Sequence, residues 1–376
     1  MHPLVFYPLF GVLLPFLLLE GVFRLLPVTE PPYILPVNAA TPVSRFQPNV
    51  EYRYSHDWDF SIVTRKRTNN FGYNFVRDYR SDAGTPLMMV IGDSFVEANA
   101  VDVGKSAAEL LDARLGGSGR VYSIGVSGAP LSQYLVFAEL AAASLRPDAM
   151  AFVIISNDFD ESLLRYKSDP RFHYFVERDG RVDLHRVDYQ LSTTKRVLRQ
   201  SAFVRYAVLN VAVAERVQAL RNALQGRSRP AAHLGLRDSD PPEVLERRIA
   251  DSRRAIDLFL EMLPAKSGLA AESILFVLDA VRPAIYSEDA LRAAQAGFHA
   301  RMRRYFEAAA SARGFHVLDL QPAFIASYRK HGVRFEFPTD SHWNETGNAL
   351  VAEEMEKTAL FARVFHRDGL KRLTLR

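Results

Sequence analysis

The chain has 376 residues, 48% of them hydrophobic and 24% charged, an ordinary globular balance with enough apolar material for a sizeable core. Its 47 basic and 43 acidic residues leave a formal charge of +4 with no long single-sign run. Basic pairs such as Arg247-Arg248 and Arg253-Arg254 recur among acids, as on a solvated helix face, which argues against nucleic acid as a partner. There is no cysteine, so disulfides, thiolate metal sites and cysteine nucleophiles are excluded.

Along the chain, Pro3 to Leu19 carries no charge, and apolar character resumes after Glu20 through Gly21, Val22, Phe23, Leu25 and Leu26. A membrane span needs about 20 mostly apolar residues, so residues 1–26 are expected to form a transmembrane anchor. A cleaved signal peptide is the competing reading, but no small-residue cleavage site follows the run directly, and Val37-Asn38-Ala39 is far downstream. No Lys or Arg precedes the run and only Arg24 follows closely, so charge does not choose the orientation. Residues 27–47 hold Pro27, Pro31, Pro32, Pro36 and Pro42, the composition of an extended, semi-rigid stalk. Residues 48–376 then form one domain, entered through an irregular segment from Val50 to Tyr79 with a turn at Asn69-Asn70-Phe71-Gly72.

Within that domain short apolar runs alternate with helix-period stretches. The runs are Leu87 to Ile91, Val121 to Ile124, Met150 to Ile155, Ile274 to Leu278 and Phe315 to Leu318. Amphipathic stretches fall near 103–115, 131–145, 242–263, 288–313 and 345–361. Continuous apolar strands separated by helices predict an α/β fold, a doubly wound five-stranded parallel sheet buried on both faces. Residues 160–240 interrupt the rhythm as an insertion. Inside it, Phe172 to Val176 and Val182 to Val187 flank Asp179-Gly180 as a hairpin would, and Ala202 to Leu224 has helical periodicity. Its position after a strand end makes a cap over the ligand side of the sheet one reading, and a surface excursion the other.

The chemistry-bearing residues sit where strands end. Leu87 to Ile91 runs into Gly92-Asp93-Ser94, which places Ser94 at a strand-to-helix turn with nearby backbone N–H groups able to meet an oxyanion. Alone the tripeptide is weak, since Asp and Ser are common caps. The second run leads into Gly125-Val126-Ser127-Gly128, where a glycine can offer its N–H freely, and the third into Ser156-Asn157-Asp158, where a side-chain amide can donate. Near the end come Thr339-Asp340-Ser341-His342-Trp343-Asn344 and a helix, a carboxylate two residues before a histidine. Together they supply nucleophile, base, orienting acid and oxyanion donors, the set that acyl transfer requires. His173, His185, His299, His316 and His331 show no metal-ligand spacing, and no metal or cofactor is expected. Asp158 and Asp160 read as strand-end turn formers.

These four blocks, in order over most of residues 85–360, resemble the SGNH or GDSL-like hydrolases. The resemblance implies a flavodoxin-like sheet, Ser94 as nucleophile, His342 as base, Asp340 as its acid, and an oxyanion hole from Ser94, Gly128 and Asn157. One departure is that Asp340 precedes His342 by two residues where the family often has three, a variant resembling relatives of alginate O-acetyltransferases. The function expected is a serine-dependent esterase acting on an acylated small molecule, glycan or lipid of the cell envelope. The alternatives are an O-acetyltransferase for a cell-surface polysaccharide and a non-catalytic carbohydrate-binding protein of the same fold. By resemblance to anchored bacterial members, the domain is expected to be periplasmic or otherwise extracytoplasmic, with the membrane reached through its N-terminal helix.

Overall fold

In the computed structural model, which describes residues 3–82, 84–155, 158–178, 180–213, 216–217, 221, 240–282 and 284–366, each of the five short apolar runs of the domain corresponds to a strand. A hairpin of β1 (Glu51–His56) and β2 (Ile62–Arg67) comes first. The central sheet contains β3 (Leu87–Gly92), β4 (Arg120–Gly125), β5 (Ala149–Ile154), β8 (Ile274–Leu278) and β9 (His316–Asp319). Between β5 and β8 lies a second hairpin, β6 (His173–Arg178) with β7 (Arg181–Arg186). All neighbours in the central sheet are parallel, in the order β4-β3-β5-β8-β9. That order reverses direction beside β3, and open α/β sheets bind ligands outside the carboxyl ends of the strands at such a switch point. Every residue of β3, β5 and β8 is buried, because helices cover both faces and leave no polar side to alternate. In one layer α4 (Leu131–Leu145) packs on the helix Pro242–Ser267, and in the other α3 (Ala107–Arg114) packs on the helix Glu345–Glu356.

Several elements differ from their sequence expectations for local reasons. The stretch 288–313 is two helices, Glu288–Ala294 and Phe298–Ser311, with Gly297 as the N-cap of the second. The stretch 345–361 likewise divides, Thr358 capping a short helix Ala359–Phe365. An unexpected helix, Gln321–His331, has proline in its first turn and closes on Gly332 at φ +67°, the two signals that mark helix ends. The β1–β2 hairpin hides in sequence because Asp57 and Phe60, not glycines, take the positive φ values of its turn.

The N-terminal region also departs from expectation. Residues 27–47 are extended, as their prolines dictate, yet they do not stand off as a free stalk. Val28, Val37 and Phe46 are buried, Val37 pairs with Tyr189 in both directions at 2.9 Å, and Phe46 N–H donates to Gly72 at 3.0 Å. The α1 helix (Pro3–Leu25) covers the apolar run. Among the described residues no helix is long and apolar enough to cross a membrane.

The insertion works in two parts. The β6–β7 hairpin forms as expected, with Asp179 outside the described residues. Over the expected helix Ala202 to Leu224 the described residues form a short α-helix, Ala202–Arg205, then a π-helical turn, Tyr206–Asn210, and are again α-helical at 213, 216, 217 and 221, with most of 214–239 outside the described residues. This second part grips the N-terminal region: Glu20 accepts from Ser201 Oγ (2.6 Å) and from the N–H groups of Ala202 and Phe203 (both 3.1 Å). Phe23 stacks on Tyr206 at 4.2 Å, and Tyr206 donates to Trp58 O. The first part of the insertion instead reaches the ligand side of the sheet.

Candidate active site

At the end of β3 the chain turns sharply into α2 (Ser94–Glu97). Asp93 caps this helix, its carboxylate accepting Phe95 N–H at 2.9 Å, and Ser94 is the first helical residue, only half-buried. The turn fits this tightly because of two glycines. A Cβ on Gly92 would lie 2.5 Å from Val96 Cγ2, and one on Gly125 would lie 2.2 Å from the backbone nitrogen of Glu97. No side chain larger than hydrogen lets α2 lie so close over β3 and β4. The Ser94 hydroxyl donates to Asp93 Oδ2 at 3.3 Å.

Asp340 and His342 arrive on the loop before the helix Glu345–Glu356. The two-residue spacing makes a closed unit: Asp340 Oδ1 accepts the His342 backbone N–H at 2.8 Å and also meets imidazole Nδ1. Assigning the ring proton to Nδ1 on the strength of that partner leaves Nε2 as the free acceptor. The ring lies beside the Ser94 turn, since Phe95 packs 4.8 Å from it and 5.1 Å edge-on to Trp343.

A buried network that the sequence did not signal holds this loop. Arg282, following β8, donates to Ser341 O at 3.0 Å and makes a forked pair with Asp279 at 3.2 and 2.7 Å. Trp343 Nε1 donates to the same Asp279 at 3.0 Å, and Asn344 caps the following helix by accepting Gly347 N–H at 2.9 Å. The only hint was position, because Asp279 and Arg282 follow directly on a strand's carboxyl end.

Gly128 occupies the turn after β4, so it lies at the same sheet edge as Ser94, the register pairing Gly92 with Gly125. Asn157, the other expected donor, lies outside the described residues together with Ser156. Asp158 and Asp160 have the turn and packing roles expected of them. Asp158 accepts from Ile155 N–H (2.8 Å) and Tyr134 OH (3.1 Å), and Asp160 pairs with Arg248 at 2.6 Å. Thus Ser94, Gly128, Asp340 and His342 sit around one edge of the sheet.

Electrostatics at this edge follow from burial and proximity. Burial pushes the Asp93 carboxyl up to about 6, and burial with the charge of Asp93 pushes Asp158 up as well. For His342, burial favours the neutral ring, but the hydrogen bond and charge of Asp340, joined by the charge of Asp93, outweigh it and raise the pKa above 6.5. Burial opposes ionisation of Asp340 too, yet His342 holds that carboxyl below 3.8. The Asp340 contribution to stability is therefore present above 3.8 and lost as pH falls through its depressed folded value. That of His342 is full below 6.5 and lost as pH rises through its raised folded value. Proton abstraction needs the neutral ring, so base function is lost in the opposite direction, as pH falls through the same raised value.

Residues 237–370 match the family described as SGNH hydrolase-like domain, acetyltransferase AlgX. No curated protein matches the chain. Solved structures with a similar course include the acetyl xylan esterase AlAXEase, at 12% identity and a TM-score of 0.38 over 72% of this chain and 97% of that one. A lipase/acylhydrolase from Enterococcus faecalis aligns at 12% identity and 0.37 over 72% and 93%. A two-domain esterase (CEX) active on acetylated mannans aligns at 10% and 0.37 over 75% and 50%. The similarity to the SGNH hydrolase-like domain of AlgX is thus carried by residues 237–370, which hold Asp340 and His342.

Proposed function

We propose that this chain is a serine-dependent ester hydrolase that forms an acyl-enzyme on Ser94. The observation that supports it best is the Asp340–His342 pair packed beside the Ser94 turn through Phe95. His342 Nε2 takes the hydroxyl proton as Ser94 Oγ attacks the ester carbonyl carbon, while Asp340 holds the ring and stabilises its charged form. The electron pair displaced onto the carbonyl oxygen is met by the N–H groups of Ser94 and Gly128 and by the Asn157 amide. Collapse expels the alcohol, which receives the proton from His342. Water, deprotonated by His342, then attacks the acyl carbon and releases the acid and free Ser94.

The substrate proposed is an O-acylated glycan or lipid of the cell envelope, which a domain anchored at its N-terminus would reach. An O-acetyltransferase is the second reading, supported by the acetyltransferase in the description of the matching family. Its chemistry differs only in the second acceptor, a sugar hydroxyl in place of water. A non-catalytic carbohydrate-binding protein is the third. The full chain, given p-nitrophenyl acetate with an unacetylated polysaccharide present, is expected to release nitrophenol and free acetate in equal amounts. Acetyl groups recovered on the polysaccharide would replace hydrolase by transferase, and nitrophenol release no faster than that of Ser94→Ala would leave the binding reading.

Membrane attachment is proposed on the uncharged run Pro3 to Leu19 within α1, and the extracytoplasmic placement on the resemblance to anchored bacterial members. The full chain is expected to sediment with membranes and resist extraction by high salt. Recovery in the soluble fraction at low salt would remove the anchor.

A further inference from the structure

The first part of the insertion touches the site at two successive peptide groups of one turn. The turn after β4 is closed by Ala129 N–H donating to Val126 O at 3.0 Å, and Gly128 has φ +79°. A positive φ confined to the third turn residue is the signature of a type II turn, whose central peptide is flipped relative to the commoner type I. Here that central peptide joins Ser127 to Gly128. Its orientation decides where the Gly128 N–H points, because in a planar trans amide the N–H and C=O are directed oppositely.

Three charged side chains hold this turn. Arg171 Nη2 donates to Ser127 O at 2.9 Å, Lys167 Nζ donates to Gly128 O at 2.9 Å, and Glu97 accepts from both the N–H and the hydroxyl of Ser127. Glu97 belongs to α2, three residues after Ser94, and the two cations belong to the insertion. Lys167 is itself fixed by Glu161 at 2.6 Å and Asp169 at 3.7 Å. Arg171 is in a less ordinary position. It is a non-glycine residue at φ +87°, a conformation that costs on the order of 1–3 kcal/mol and persists where surroundings impose it. Its N–H donates to Val187 O at 2.7 Å, and its guanidinium lies 4.7 Å over the Phe172 ring. The strained backbone thus delivers a planar cation to the Ser127 carbonyl.

We infer that Arg171 is a positioning residue for the oxyanion donor: by drawing the Ser127 carbonyl to itself it turns the Gly128 N–H toward the mouth of the site. A charged donor on the carbonyl also polarises the amide, which makes its N–H a stronger donor. The insertion therefore serves the chemistry through one backbone amide, with Lys167 fixing the next carbonyl along. This inference rests on the reading of Ser94 as nucleophile and Gly128 as oxyanion donor.

Arg171→Gly separates this role from a structural one, because glycine accepts φ +87° without strain while the guanidinium is lost. Assayed in the full chain on p-nitrophenyl acetate, the variant is expected to keep its melting temperature within a few degrees and its KM within about twofold. Its kcat should fall by about 10- to 100-fold, less than the loss from deleting an oxyanion donor outright. Millimolar guanidinium ion should restore part of that kcat, and Arg171→Lys, which keeps a cation at the same φ, should fall between the parent and Arg171→Gly. Affinity for a boronic acid that mimics the tetrahedral adduct should fall by the same factor as kcat. Parental kcat in Arg171→Gly, or a loss that guanidinium leaves untouched and that tracks a lower melting temperature, overturns the inference. Failure of the nucleophile reading is distinguishable, since it would appear as Ser94→Ala retaining parental turnover.

Discussion

Ser94→Ala is expected to lower kcat on small acetate esters by about 10⁴-fold or more while the protein stays folded. The side chain is half-buried at a turn set by Gly92 and Gly125, so removing one hydroxyl opens no cavity of consequence. His342→Ala should lose a comparable factor, and the double variant should be little worse than either, because nucleophile and base act as one unit. The check is steady-state turnover of the three variants with labelling by a serine-directed fluorophosphonate, which should mark the parent and not Ser94→Ala. Additive losses in the double variant would mean that the two residues serve separate steps. Parental turnover and labelling in Ser94→Ala would move the chemistry away from this edge of the sheet altogether.

Asp340→Asn carries the next largest effect, a loss of about 10²- to 10⁴-fold in kcat. One oxygen of Asp340 serves both the backbone N–H and Nδ1 of His342, so the substitution acts twice. An amide NH₂ facing Nδ1 would favour the tautomer that carries its proton on Nε2, the nitrogen required to accept from serine. Loss of the carboxylate charge also removes the main influence that raises the His342 pKa. The pH–rate profile makes this visible. In the parent, kcat/KM should rise with pH through a value above 6.5, and in Asp340→Asn the remaining activity should rise at lower pH. An unshifted acidic limb, measured over pH 4–9, would show that some group other than this histidine sets it.

Sequence and structure divide the work in a physically ordered way. The five strands were legible because each coincides with a short apolar run bounded by turn residues, and in β3, β5 and β8 burial on both faces removes the alternation that would confuse the reading. The positions of Ser94, Gly128, Asp340 and His342 in the fold were legible because each lies at a strand end or helix start, where the chain announces its turns. The pairing of Asp340 with His342 is local, two residues apart, so spacing suggested it and the hydrogen bonds display it. What sequence could not supply are contacts between residues far apart in the chain. Arg282 holds the carbonyl of Ser341, 59 residues away, and Arg171 holds that of Ser127 at a separation of 44. Nothing near Arg171 in sequence announces either its positive φ or the carbonyl it reaches. The proline content of residues 27–47 determined an extended backbone, because proline fixes φ. Whether that backbone stands in solvent or lies along the domain depends on partners such as Tyr189, Gly72 and Arg199, which only the folded chain brings alongside.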